Sequence, residues 1–95
     1  MPAYVIANVR LNDPEAYREY AAGTPASIAG FGGRFLVRGG EVEVREGSWS
    51  PERVVVLEFP DGEAARAWYE SEDYVALRAI RERAAETDLV IVEGV

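Results

Sequence analysis

A polar side chain inside an apolar run is the first sign of chemistry in this sequence. Asn8 interrupts Tyr4–Arg10 (YVIANVR), where an amide either hydrogen-bonds a ligand or closes on neighbouring backbone near the strand end. Glu58 follows four apolar residues, Val54 to Leu57. A half-buried carboxylate there is the one candidate catalytic acid or base. The competing role for Glu58 is an ion pair with an arginine across the sheet or a subunit interface. Arg38 follows Leu36-Val37 and precedes Gly39-Gly40, so its stem can lie along a sheet with the guanidinium at a pocket mouth, suited to carboxylate recognition. The same residue can equally be an ordinary charge on an edge strand. Trp68 and Tyr74 share an apolar helical face, as the wall of a ligand pocket or as plain core. Arg78 lies four residues after Tyr74 and faces either that pocket or Glu82.

The residue types that are missing narrow the chemistry further. The chain has no Cys, His, Lys or Gln. This rules out thiol nucleophiles, zinc–thiolate sites, imidazole bases, Ser-His-Asp triads and Schiff bases. Only scattered carboxylates remain as metal ligands, so neither a metal nor a cofactor is expected. Seventeen acids stand against ten bases, all arginine, for a net charge of −7. Such a surface repels phosphate backbones, which argues against nucleic acid as a partner. No apolar run approaches the roughly 18 residues of a membrane span and nothing at the start reads as a signal peptide, so the expectation is a cytoplasmic protein with no membrane partner.

The elements that must position these residues are legible from caps and periodicity. Tyr4–Arg10 reads as a strand. Asp13-Pro14-Glu15 opens a helix with an N-cap, a proline at the first helical position and an acid in the first turn. Ala16, Tyr17, Tyr20 and Ala21 form its apolar stripe, with the two tyrosine hydroxyls at the rim. Thr24-Pro25 predicts a kink or restart before the helix ends near Ala29. Gly30–Gly33 is a turn between helix and strand, the wrong order for a phosphate loop. Arg34–Arg38 reads as a strand, Gly39-Gly40 as a tight turn, and Glu41–Glu46 (EVEVRE) as its continuation or hairpin partner. Trp49, in the loop Gly47–Pro51, is a pocket lid or an interface anchor. Arg53–Phe59 reads as a central strand, Asp61 and Ser71 cap two successive helical stretches, and Leu89–Glu93 is the last strand.

The order β-α-β-β-α-β in a single domain, residues 1–95, predicts an α+β, ferredoxin-like βαββαβ sandwich with the first and third strands parallel at its centre. Both faces of the strands are largely apolar, whereas the helices cover only one. A bare apolar face predicts a homodimer packed sheet on sheet.

Several longer strings resemble a family catalogued as a domain of unknown function. They are G-G-R-F-L-V-R-G-G at Gly32–Gly40, E-F-P at Glu58–Pro60, A-R-A-W-Y-E-S-E-D-Y at Ala65–Tyr74, and the strand followed by D-P-E-x-Y-x-x-Y at Asp13–Tyr20. The resemblance covers nearly the whole chain and implies the dimeric α+β barrel, in which two ferredoxin-like sheets close with the helices outside. That superfamily includes haem-degrading and cofactor-independent monooxygenases, isomerases, cyclases and effector-binding domains, with pockets between sheet and helices. The haem-degrading members carry a strand Asn and W-x-x-S-x-x-[FY]-x-x-x-H. Here Asn8, Trp68, Ser71 and Tyr74 match, but Arg78 stands in the place of the iron-ligating His. A guanidinium has no lone pair for iron, so haem degradation is disfavoured.

Two functional expectations follow. In one, a cofactor-independent oxygenase, isomerase or cyclase acts on a small aromatic or polyketide-like compound. Trp68 and Tyr74 form its wall, Asn8, Arg38 and Arg78 orient oxygens, and Glu58 is the base. In the other, a homodimer binds a small molecule, or only itself, without turnover.

Overall fold

The computed structural model describes all residues, 1–95. Its elements are β1 (Ala3–Leu11), α1 (Pro14–Ala29), β2 (Arg34–Arg38), β3 (Val54–Phe59), α2 (Gly62–Glu70), α3 (Glu72–Ala84) and β4 (Ala85–Glu93). The strands form one sheet in the order β2-β3-β1-β4, and every neighbouring pair is antiparallel. This is the expected ferredoxin-like sandwich, with one correction: β1 and β3 run antiparallel. The crossover through α1 returns the chain parallel to β1 but one strand away. β3 fills that gap after reversing direction from β2, so it runs against both neighbours.

The N-cap signals at Asp13, Asp61 and Ser71 act as expected, whereas no helix restarts at Thr24-Pro25. Asp13 Oδ1 accepts from the Ala16 amide at 3.2 Å, and Asp61 Oδ1 accepts from the Ala64 amide at 2.8 Å. Ser71 ends α2 and caps α3: its hydroxyl donates to the Trp68 carbonyl at 2.7 Å and accepts from the Tyr74 amide at 3.2 Å. Helix α1 runs through Pro25 without a break. Proline lacks the N–H that would bond the Ala21 carbonyl. That oxygen instead accepts from the Thr24 hydroxyl at 3.1 Å and from Arg38 Nη2 at 2.9 Å.

Two strand expectations are corrected. Glu41–Glu46 forms no strand, and residues 39–53 contain no helix or strand. β2 is an edge paired only with β3, and the valines of this segment alternate with charges that have no core to cover; Val44 is 51% exposed. The last strand begins at Ala85 rather than Leu89. It pairs with β1 from Leu11↔Ala85 to Ala3↔Glu93, and this long-range ladder overrides the polar character of Glu86-Thr87-Asp88.

The core lies between the helices and one sheet face. Ala3, Val5, Val9, Leu57 and Phe59 point into it, against Tyr17, Tyr20, Ile28, Trp68 and Tyr74. The other face holds Ile6, Val54, Val56, Val90 and Val92 with no layer over them, and Val90 is 53% exposed. The Cα extents of 33 × 32 × 16 Å are those of a two-layer slab. No helix is long and apolar enough to cross a membrane.

Candidate functional site in the sheet–helix pocket

A cavity of about 40 Å³ opens between the sheet and α1, α2 and α3. That is room for roughly three waters or a small head group. Its walls are mostly apolar, and its only charged lining residues are Arg38, Arg53 and Arg81. No carboxylate lines it, although the whole chain carries a net charge of −7.

Arg38 reaches the mouth because β2 is bulged. Phe35 pairs with Leu57, Val37 with Val56 and Arg38 with Val55, which leaves Leu36 as the extra residue. An extra residue reverses the alternation beyond it. Arg38 therefore joins Phe35 on the pocket face while Val37 turns to the bare face. The Ala21 carbonyl freed by Pro25 holds Arg38, and its guanidinium lies 4.4 Å from the Phe35 ring centroid. Arg53 is fixed beside it through its backbone. The Val9 amide donates to the Arg53 carbonyl at 2.8 Å, and Asn8 Oδ1 accepts from the amides of Glu52 and Arg53 at 2.9 and 3.3 Å. Gly39, with φ +71°, lies under the Arg53 guanidinium where a Cβ would collide with it.

The floor is a cluster of Tyr20, Tyr74 and Arg81. The two phenolic oxygens are 2.7 Å apart, and Arg81 Nη1 donates to the Tyr74 oxygen at 2.8 Å. Trp68 stacks on Tyr74 with ring centroids 4.0 Å apart, and its indole N–H donates to Ser27 Oγ at 3.1 Å. Ser71, bonded to both the Trp68 carbonyl and the Tyr74 amide, sets the α2–α3 corner that brings these rings together.

Arg81 is 93% buried by its 7% exposure, yet it makes no ion pair and only one side-chain hydrogen bond. Burying an ion costs several kcal/mol even after relaxation. The carboxy-terminal end of α3 and the Tyr20 ring, 5.9 Å from the guanidinium carbon, each offset about 1–2 kcal/mol. Neither replaces a counter-ion. Burial raises the pKa of both Tyr74 and Tyr20 above the phenol value of 10, so both remain protonated donors at neutral pH.

These groups form a site of donors. Only one of the two phenolic protons is used in the Tyr20–Tyr74 bond, whichever oxygen donates, and the other is left over. Arg81 Nε, Arg53 Nε and the Thr87 hydroxyl are buried without partners and belong to pocket residues. They are three of the four such side-chain atoms in the chain; the fourth is Asn8 Nδ2. The site therefore suits an acceptor, above all an anionic oxygen. It offers no base and no metal-ligand group: no three His, Cys, Asp or Glu side chains come together to hold a metal.

Of the residues singled out in the sequence, the structure brings Arg38, Trp68 and Tyr74 to this pocket. Asn8 stitches residues 52–53 to β1 and does not line it. Glu58 lies on the bare sheet face. There it pairs with Arg34 Nη2 at 2.7 Å and accepts from the Tyr4 hydroxyl at 3.3 Å, so it is not placed to act as a base in the pocket. Arg78 sits outside the pocket, 4.4 Å from the Tyr69 ring centroid. Trp49 is 63% exposed and does not line this pocket. The Tyr20 hydroxyl is buried on Tyr74 rather than set at a rim.

Arg81, Arg53 and Thr87 escaped the sequence reading. For Arg81 a signal existed. At 3.6 residues per turn it lies roughly 20° from Tyr74, within the apolar arc of Leu77 and Ala84, whereas Arg78 lies roughly 40° to the other side. Residues 2–95 match the model of the family described as Domain of unknown function (DUF1330).

The chain belongs to the DUF1330 family. No curated protein matches it. Solved structures share its fold. A protein of unknown function from Rhodopseudomonas palustris is similar at TM-score 0.74 and 18% identity, over 99% of this chain and 82% of that one. SnoaB, a cofactor-independent oxygenase from Streptomyces nogalater, is similar at TM-score 0.67 and 13% identity, over 99% and 93%. A dimeric ferredoxin-like protein of unknown function from Thermobifida fusca is similar at TM-score 0.59 and 16% identity, over 99% and 92%. At such identities the likeness establishes the ferredoxin-like fold of this DUF1330 chain, and a fold alone does not choose a reaction.

Proposed function

We propose that this DUF1330 protein is a homodimer that binds a small, mostly apolar organic molecule in the sheet–helix pocket, with an oxygen of the ligand seated on Arg81 and the Tyr20–Tyr74 pair. The observation that carries the reading is the buried Arg81 guanidinium without a counter-ion, among donors that lack acceptors. Such a group is costly to keep in a core and useful only where it meets an acceptor. The apolar outer sheet face, with Val90 and Val92 exposed, and the dimeric relative of the same fold support the homodimer.

A catalytic version of this reading is favoured by the same cluster. Protonated phenols and a guanidinium clustered in one pocket can stabilise an oxyanion as it develops. This suits a cofactor-independent isomerase, cyclase or oxygenase whose substrate readily forms an enolate. SnoaB, described as a cofactor-independent oxygenase, is built on the same fold. With Glu58 on the far face, the pocket supplies charge stabilisation and positioning but no carboxylate base.

Trp68 is a built-in reporter. The chain has two tryptophans, so Trp49→Phe leaves Trp68 alone in the pocket wall. Titration of this variant with phenols, quinones and small keto acids is expected to change Trp68 emission saturably. A ligand at 100 times its Kd stabilises by about 2.7 kcal/mol, raising the Tm of a domain this size by about 10–20 °C. Trp68 emission and Tm that stay flat across the series at millimolar concentration would remove the reading's support. Turnover of a ligand that binds would decide for the catalytic version.

A further inference from the structure

Resting on the pocket reading above, we infer that the ligand is a small monocarboxylate, its carboxylate received side-on by the Nε–Nη2 edge of Arg81 and its apolar body directed toward Phe35 and the mouth of the pocket. An arginine guanidinium offers two edges of paired N–H groups, and the structure shows which is in use. Nη1 is committed to the Tyr74 oxygen at 2.8 Å. Nε is buried without a partner, and no carboxylate pairs with Nη2. That leaves free the planar pair of parallel N–H groups that matches two carboxylate oxygens.

Donor arithmetic selects a carboxylate over a single oxygen. A phenolate or enolate oxygen can face only one apex of the site. A carboxylate has two oxygens with about four lone-pair sites. The residues lining the cavity offer a matching set of donors: Arg81 Nε and Nη2, the spare phenolic proton of the Tyr20–Tyr74 pair, and the Thr87 hydroxyl, which is buried without a partner.

Charge and shape restrict the ligand to a monoanion with an apolar body. One guanidinium, that of Arg81, lies in the buried floor, whereas Arg53 is half-buried and Arg38 exposed, and most of the other lining side chains are apolar. A phosphate or sulfate dianion would carry an unpaired charge into them. Arg38 and Arg53 stand at the mouth without carboxylate partners. They form a local positive entrance in a chain of net charge −7, through which an organic anion can approach a surface that otherwise repels it. The cavity of about 40 Å³ has room for a carboxylate head group, with the body directed toward Phe35 and the mouth.

The test uses isosteric pairs in the Trp49→Phe background, followed by Trp68 emission and by calorimetry. Benzoate and 4-methylpentanoate are compared with benzamide and 4-methylpentanamide, which keep the shape and lose the charge, and with phenol, which offers a single oxygen. The carboxylates are expected to bind at least tenfold more tightly than their amides and than phenol. Arg81→Leu is expected to abolish that preference, and Arg81→Lys to reduce it by about tenfold, since an ammonium keeps the charge but not the paired N–H edge. If Arg81→Leu does not fold by circular dichroism, the lysine variant and the isosteric pairs carry the test. Equal binding of acids and amides, or tighter binding of phenol, overturns the carboxylate while leaving the pocket reading in place. Displacement of benzoate by an equal concentration of sulfate overturns it in favour of a general anion site. Absence of any binding by acid, amide or phenol overturns the pocket reading together with this inference.

Discussion

Tyr74 and Arg81 illustrate how one residue's surroundings set its chemistry. Tyr74 has no exposed surface, and burial, followed by the charge of nearby Tyr20, pushes its hydroxyl above the ordinary phenol range. Its contribution to stability is fully present below pH 10, the value in an unfolded chain. Above that pH the unfolded chain loses the proton first, so stability falls as pH rises through the folded value. Urea unfolding is therefore expected to show falling stability above about pH 10, with a shallower fall in Tyr74→Phe. At neutral pH that variant is expected to lose about 1–3 kcal/mol, because Arg81 would lose its one hydrogen-bond acceptor. An unchanged alkaline profile in Tyr74→Phe would show that the phenol is not the group responsible. Sequence spacing made Tyr74 visible as a pocket candidate. It pointed to Arg78 as its companion because i+4 neighbours are the familiar pair, whereas the helix turns Arg81 onto the buried arc.

At the scale of elements, small irregularities build the pocket. The bulge at Leu36 turns Arg38 inward, and Pro25 frees the carbonyl that holds it. The Ser71 corner brings Trp68 and Tyr74 into contact. Removing that cap tests the last of these. Ser71→Ala is expected to cost about 1 kcal/mol in chemical unfolding and to weaken the near-ultraviolet circular dichroism from the Trp68–Tyr74 stack. A variant that loses the stability but keeps the aromatic signal would show that Ser71 caps α3 without orienting the rings. The cap was readable, because Ser71-Glu72-Asp73 is a local signal. The bulge was not, because it exists only in the pairing of β2 with β3.

At the scale of the whole molecule, the unanswered surface is the outer face of the sheet. Val90 stands opposite Ile6 and Val92 opposite Tyr4, and Leu36, the bulged residue, is 44% exposed. A second copy covering this face is the arrangement we propose. Sedimentation at micromolar concentration is expected to give a species of twice 10.5 kDa. Val90→Asp, which sets a charge in the middle of the apolar face, is expected to give a folded monomer. A wild-type monomer at that concentration would be inconsistent with the sheet-on-sheet dimer. The same scale explains Glu58: paired with Arg34 on this outer face, it belongs to the surface opposite the pocket.

The features settled within the sequence are those governed by local chemistry. Helix starts at Asp13, Asp61 and Ser71, the alternation of β1, the order of elements and hence the α+β fold all follow from caps, periodicity and crossover handedness over short spans. The absence of Cys, His and Lys restricted the chemistry in the same way. Tertiary structure decided which of the ten arginines is buried, which face Glu58 occupies, that Glu41–Glu46 finds no strand partner, and that the two tyrosine hydroxyls meet. Each of these depends on register and packing between residues far apart in the chain. A one-residue shift in pairing moves a side chain from the pocket to the opposite face.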